Sequence, residues 1–321
     1  MQNFILLLYF TFINVSKPVN HHPRVEGFRF TPINSPVSKS LSDVGFADDK
    51  IGYICGDGGV ILKTTDGGIK WTVLNTGSTG SFHCLFVVNA KIVCAGGFNG
   101  AFIKTNDGGD SWTNITSPSS MPGNHIWGIH FFDADNGIVL QGVDALSTYQ
   151  TNNGGASWSA TELKNLGGLP GTSICFLNDR TGFLTTGDPG TLLKTADGGK
   201  TWSTRITAVS QGITSVSFID QKNGFVSDHN GGIRKTIDAG ETWTTLITGI
   251  STPIRKVRFA NTKNGIAVGD DGTVISTADG GNSWRKEDLG LSGFVEGVCF
   301  VNEKLGFIAA DDGKIIRISL Q

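Results

Sequence analysis

The chain has 321 residues, of which 38% are hydrophobic and 17% charged, and its 45 glycines are about twice the usual share. Its 26 basic and 28 acidic side chains leave a net charge of −2, too balanced for binding DNA or RNA through bulk electrostatics. The apolar content is too high for a disordered chain, and glycine lacks the every-third spacing of collagen, so the composition describes a turn-rich globular protein with length for a sizeable core.

Residues 4–13 (FILLLYFTFI) form a short apolar block that ends before Lys17 and Pro18. The block is too short for a membrane span and reads as the apolar region of a secretory signal. The expectation is a signal peptide over residues 1–17, with Ser16 as the cleavage residue, followed by an exported mature chain without a membrane span. The leading Met-Gln-Asn carries no basic side chain and no Ala-x-Ala follows, so a frayed or anchoring segment stays open as the alternative. No cysteine follows the block, which gives a lipid anchor no attachment point.

Next comes an alternating stretch, residues 25–33 (VEGFRFTPI), and then a repeat. One octapeptide recurs six times: residues 64–71 (TTDGGIKW), 105–112 (TNDGGDSW), 151–158 (TNNGGASW), 195–202 (TADGGKTW), 236–243 (TIDAGETW) and 277–284 (TADGGNSW). Its tryptophans are separated by 41, 46, 44, 41 and 41 residues. An alternating apolar segment precedes each copy, centred on Phe46, Val87, Phe131, Phe176, Phe218 and Phe259, and a seventh is centred on Phe300. Period-2 alternation reads as a strand. Two further short apolar elements follow in each unit, such as residues 224–226 and 61–63. Four strands in about 42 residues is the content of a propeller blade.

Seven first strands against six octapeptides leave the last unit without its fourth strand. Trp71, Trp202, Trp243 and Trp284 each precede the next segment centre by 16 residues. The same offset back from Phe46 falls on Phe30. Residues 25–33 are therefore expected to supply the missing strand, with Phe30 in place of the Trp, closing the ring and removing its open edge. The fold class predicted is all-β: one domain over residues 25–321, a seven-bladed β-propeller of four-stranded antiparallel blades.

In the octapeptide, Asp or Asn bonds nearby backbone and shapes the turn, and the glycines supply positive φ. The pattern resembles the Asp-box of bacterial-neuraminidase-type repeats. That resemblance implies a structural turn between third and fourth strands, on the face away from any site.

The opposite face is built by the loops entering the first strands and those joining second to third strands. The first set offers His83, His125, Trp127, Arg255, Lys256 and Glu296, with Arg258 two residues beyond Lys256 on the same strand face. Trp127 is the only tryptophan outside the repeat. The second set offers Asp57, Phe98, Asn99, Asp144, Asp188, Asp228, His229, Asn230, Asp270, Asp271, Asp311 and Asp312. Many of those acids serve as turn formers. The candidate binding residues are His83, Trp127, Arg255, Lys256, Arg258 and His229. No catalytic residue, metal site or cofactor is expected: GxxxxGK[ST], HExxH and GxSxG are missing, and the five cysteines show no CxxC spacing. Cys84 and Cys94 flank a turn and are the best disulfide candidates of an exported chain, but every cysteine lies in an apolar strand pattern, which favours buried thiols.

Residues 187–202 carry Gly-x-x-Gly-x-Ile-x-Lys-Thr-x-Asp-Gly-Gly-x-x-Trp with small departures. With the seven-unit count, this makes residues 25–321 similar to the photosystem II stability/assembly-factor-like propellers of the neuraminidase-repeat superfamily. The resemblance implies an exported, non-catalytic propeller that holds a protein partner in the cell envelope through basic residues, here Arg255, Lys256 and Arg258. A monomer is expected. Two other readings remain: a glycoside hydrolase using opposed carboxylates such as Asp188 with Asp270 or Asp311, and a glycan-binding module stacking sugars on Trp127 and Phe98. Sialidase chemistry is disfavoured, because only Tyr53 and Tyr149 remain after export and both lie in strand patterns.

Overall fold

A computed structural model describes residues 27–116, 124–142, 146–163, 171–187, 189–209 and 212–320. The 1–17 segment and the loop acids Asp144 and Asp188 lie outside the described residues. The chain forms seven four-stranded antiparallel sheets, and none of its described helices is long and apolar enough to cross a membrane. Six blades are contiguous in sequence. Blade 1 runs outward from the channel through Leu41–Phe46, Gly52–Gly56, Ile61–Thr64 and Thr72–Val73.

Burial follows position within the blade. The second strand is covered by neighbouring blades on both faces, so Gly52–Gly56, Gly137–Gln141 and Gly265–Gly269 are buried throughout and need no polar alternation. The outermost strands, such as Thr72–Val73 and Arg285–Lys286, are short and exposed. The core is divided into clusters between blades. Tyr53, Cys55 and Ile61 of blade 1 pack on Phe82, Val93, Ala95 and Ile103 of blade 2. In most blades the aromatic at the segment centre lies over the glycine opposite it: Phe46 pairs with Gly52, and a Cβ there would stand 2.6 Å from the Phe46 ring. The same pairing recurs at Phe131–Gly137, Phe176–Gly182, Phe218–Gly224 and Phe259–Gly265. Any side chain at these glycines would displace the ring.

The octapeptide turns hold themselves by one repeated set of hydrogen bonds. Thr64 Oγ1 accepts the Gly68 N–H at 2.9 Å and donates to Asp66 Oδ1 at 2.8 Å, and that oxygen accepts the N–H groups of Ile69 and Lys70. Where Ser or Thr stands before the Trp, its hydroxyl adds a bond to the second carboxylate oxygen, as Ser283 does to Asp279 at 2.6 Å. Asn153 fills the Asp position in blade 3 and donates to Ser157 Oγ instead. Trp71 then turns back onto its own blade and meets Phe46 edge-on, ring centroids 5.8 Å apart.

The turns also lock neighbouring blades. The residue just before the octapeptide Thr reaches a carbonyl of the next blade's turn: Lys63 to Gly108 at 2.6 Å, Lys104 to Gly154, Gln150 to Gly198, Lys194 to Ala239 and Lys235 to Gly280. Blade 6 is followed by the one blade that has no octapeptide, and there the position is Ser276, which bonds Glu287 of its own blade.

Blade 7 takes its outer strand from the N-terminus. Phe28–Ile33 pairs antiparallel with Ile315–Leu320. Phe30 stands opposite Ile318, which faces Gly306 as Thr64 faces Gly52 in blade 1, so Phe30 holds the Trp register. The ring contact with Phe300, at 6.0 Å, is nevertheless made by Phe28. Across the seam, Phe307, Ala309 and Ile315 of blade 7 pack on Leu41, Val44 and Ile54 of blade 1 as in any other blade pair. All five cysteines are free. Cys84 stands opposite Gly96 and Cys94 opposite Phe86, so the two do not pair.

Candidate functional site

Every first strand breaks register after its first residue. The pairing skips from Leu41 to Asp43, Phe82 to Cys84, Ile126 to Gly128, Gly171 to Ser173, Ile213 to Ser215, Ile254 to Lys256 and Val295 to Gly297. The skipped residues are Ser42, His83, Trp127, Thr172, Thr214, Arg255 and Glu296. A bulge leaves one residue unpaired and re-aims its side chain. All seven side chains line a single cavity of about 390 Å³ at the channel mouth, joined by Gly171, Gly187, His229 and Lys256. Blade repetition thus delivers one freely chosen side chain per blade to a common opening.

Five of the six predicted site residues meet there: His83, Trp127, His229, Arg255 and Lys256. Arg258 does not. It lines a second cavity of about 320 Å³ deeper in the channel, which Lys256 also borders. Residue-type reasoning missed Ser42, Thr172 and Thr214. Their signal was positional, since each ring member lies four residues before its segment centre.

One side of the mouth is aromatic. His83 and His125 meet Trp127 edge-on at 5.7 and 5.4 Å, and Phe98 meets His125 at 4.9 Å and His83 at 5.5 Å. The Trp127 indole N–H donates to the Gly142 carbonyl at 2.8 Å, fixing the ring. His125 Nδ1 accepts the Asn99 N–H, which fits a neutral imidazole, and burial lowers its pKa. Burial likewise lowers His83, against the opposing pull of Glu296, whose carboxylate lies 3.7 Å away. Phe98 remains 40% exposed.

The other side is charged but internally compensated. Arg255 forms a fork onto both carboxylate oxygens of Asp270, with Nη2 to Oδ2 at 3.0 Å, and its guanidinium lies 5.0 Å over the Phe294 ring. The hydrogen bond to Asp270 raises the Arg255 pKa. Lys256 is held by Asp43 at 2.7 Å. The expected basic cluster is therefore two ion pairs at and below the rim, with Arg258 set apart beneath them.

The second-to-third loops lie on the same face, each tied to the residues entering a first strand: Asp57 N–H to Ser40, Phe98 to Ser81, His229 to Gly212, Asp270 to Pro253 and Asp311 to Phe294. Three of their six described acids are engaged. Asp228 caps its own loop through the N–H groups of Asn230 and Gly232, and Asp311 accepts the Phe294 N–H. Asp270 is spent on Arg255. Asp43, the acid that pairs with Lys256 beneath the mouth, comes from a strand rather than a loop and was not among the expected residues.

The sequence model described as Photosynthesis system II assembly factor YCF48 matches residues 23–173 and 170–253. No curated protein matches the sequence significantly. Among solved structures, YCF48 from Cyanidioschyzon merolae superposes with a TM-score of 0.74 at 18% identity, covering 90% of this chain and 98% of that one. A structure of YCF48 bound to D1 peptide gives the same TM-score and identity, covering 92% and 97%. Virginiamycin B lyase from Staphylococcus aureus reaches 0.76 at 12% identity, covering 92% and 100%, a likeness of fold alone. With the family match spanning well over half of its length and the seven-bladed ring complete, the chain belongs to the photosynthesis system II assembly factor YCF48 family.

Proposed function

We propose that this protein is a non-catalytic, exported assembly-factor-like propeller that captures a segment of a protein partner in the cell envelope at the channel mouth. The observation that carries the reading is the ring of seven bulged side chains around one opening. It places an aromatic corner (His83, Phe98, His125, Trp127) across from hydroxyl and charged groups. An extended polypeptide presents apolar side chains and unpaired backbone groups together, and such a mixed rim suits both. Family membership supports the same class, since a relative's structure is that of YCF48 bound to D1 peptide. The apolar block at residues 4–13 supports export. A hydrolytic reading is weaker because Asp43, Asp228, Asp270 and Asp311 are engaged in ion pairs or backbone contacts.

The test is affinity capture from native envelope extract with wild type and a Trp127→Ala/Arg255→Ala variant whose fold is checked by circular dichroism. A defined protein held by wild type and released by the folded variant supports the reading. Equal capture by both removes the mouth as the site. Capture of glycan with no protein would make this a carbohydrate-binding propeller instead.

A further inference from the structure

The deeper chamber holds a charge that has no counter-ion among the described residues. Two cations border its volume of about 320 Å³, Lys256 and Arg258. Asp43 neutralises Lys256, and the second oxygen of that carboxylate accepts the Leu85 N–H at 3.1 Å. Arg258 forms no ion pair among the described residues. Its one hydrogen bond there runs from Nη1 to the Val257 carbonyl at 2.9 Å, against five N–H donors on the fork.

The other titratable groups around Arg258 add no counter-charge. The charge of Arg258 reaches Cys175 and Cys299, yet burial raises the Cys175 thiol and pushes Cys299 up to about 12, so neither supplies a thiolate. Burial drives His130 down to about 4, so it stays neutral. A half-buried guanidinium without a counter-ion is unfavourable, and its planar fork matches a carboxylate. Across the ring from blade 6, Phe86 and His130 present rings 4.6 Å apart.

We propose that this chamber binds a small organic carboxylate, its oxygens on the Arg258 fork and its apolar body against Phe86 and His130. The site lies below the Asp43–Lys256 pair, and its chamber opens towards the mouth, sharing His83, Trp127, Thr172, Thr214 and Lys256 with it, but Arg258 borders only the chamber.

Benzoate is the probe and sulfate the comparison, each titrated at constant ionic strength against chloride while thermal unfolding is followed. The expected result is a saturable rise in Tm with benzoate for wild type, no rise for Arg258→Gln, and at least tenfold weaker binding for Arg258→Lys. Crystals soaked in 4-bromobenzoate should place the bromine in the channel by anomalous scattering, a readout that holds even if the Gln variant does not fold. No saturable benzoate effect, an equal effect in Arg258→Gln, tighter binding of sulfate, or bromine found only outside the channel would each overturn the assignment.

Discussion

The carboxylate of Asp43 holds the ammonium of Lys256 at 2.7 Å, joining blade 1 to blade 6 across the inner edge of blade 7. Blade 7 offers Gly297 at the equivalent position, where a Cβ would stand 3.2 Å from the Asp43 backbone. Asp43 also accepts the Leu85 N–H of blade 2, so one carboxylate links three blades around the seam. The side chains are 15% and 19% exposed, so some solvent screening applies. Lys256→Met is expected to cost about 1–3 kcal/mol, below the full cost of opening a buried pair. In a double-mutant cycle with Asp43→Asn, urea unfolding should show a coupling of about 1–2 kcal/mol. Additive effects would mean that the pair does not hold the seam.

The inter-blade clamps predict a loss of stability at two positions, for opposite changes of residue. Lys104 is 4% exposed, bonds the carbonyls of Ala134 and Gly154, and lies 4.7 Å over the Phe131 ring. Lys104→Met should cost about 2–3 kcal/mol, the range for charged hydrogen bonds. Ser276→Lys, which restores the repeat consensus, should destabilise by about 1–3 kcal/mol, because blade 7 has no octapeptide turn to receive the ammonium. Chemical denaturation of the two variants measures both losses, and a Ser276→Lys variant as stable as wild type or more so would count against the clamp.

Acid should loosen the turns in a defined window. Hydrogen bonds from Thr201 and Thr242 lower Asp197 and Asp238 to about 2 from 3.8. A folded pKa below the unfolded one contributes stability that is complete above 3.8 and lost as pH falls through about 2. Tm plotted against pH should therefore fall through this window. Asp197→Asn should flatten the slope and Asn153→Asp should steepen it, since blade 3 already carries the amide at that place.

The thiols should be silent in the native protein. Cys55, Cys84 and Cys94 are buried, and burial pushes Cys94 up to about 12 and raises the other two. A thiol-disulfide reagent at pH 8 should find these three roughly a hundredfold slower than free cysteine. All five cysteines should titrate in urea under non-reducing conditions, whereas a shortfall of two would reveal a disulfide.

The architecture was legible because the repeat spaces its tryptophans at nearly constant intervals, and because the offset from Trp71 to Val87 could be carried back to Phe30. Register alone did not show that Phe28 would make the ring contact, which depends on how the seam strand lies over Phe300. At the mouth, conspicuous residues such as Trp127 and Arg255 could be picked out, while Ser42, Thr172 and Thr214 could not. Strict alternation hides a bulge: it sends Arg255 and Lys256 to opposite faces, yet both border the mouth. The pairing of Arg255 with Asp270 lies within one blade but depends on the bulge at Arg255, and that of Lys256 with Asp43, far away in sequence, depends on ring closure and leaves no local trace.

The seam strand also decides how the molecule can be presented. Phe28 stands beside Leu320, at the end of the last strand remote from the Asp311–Gly313 loop of the mouth face. Anything fused or anchored ahead of Gly27 or behind Leu320 thus leaves from the octapeptide side. A tether at either end would hold the propeller with its back to the support and its opening outward, so surface immobilisation through either terminus should leave the mouth equally accessible.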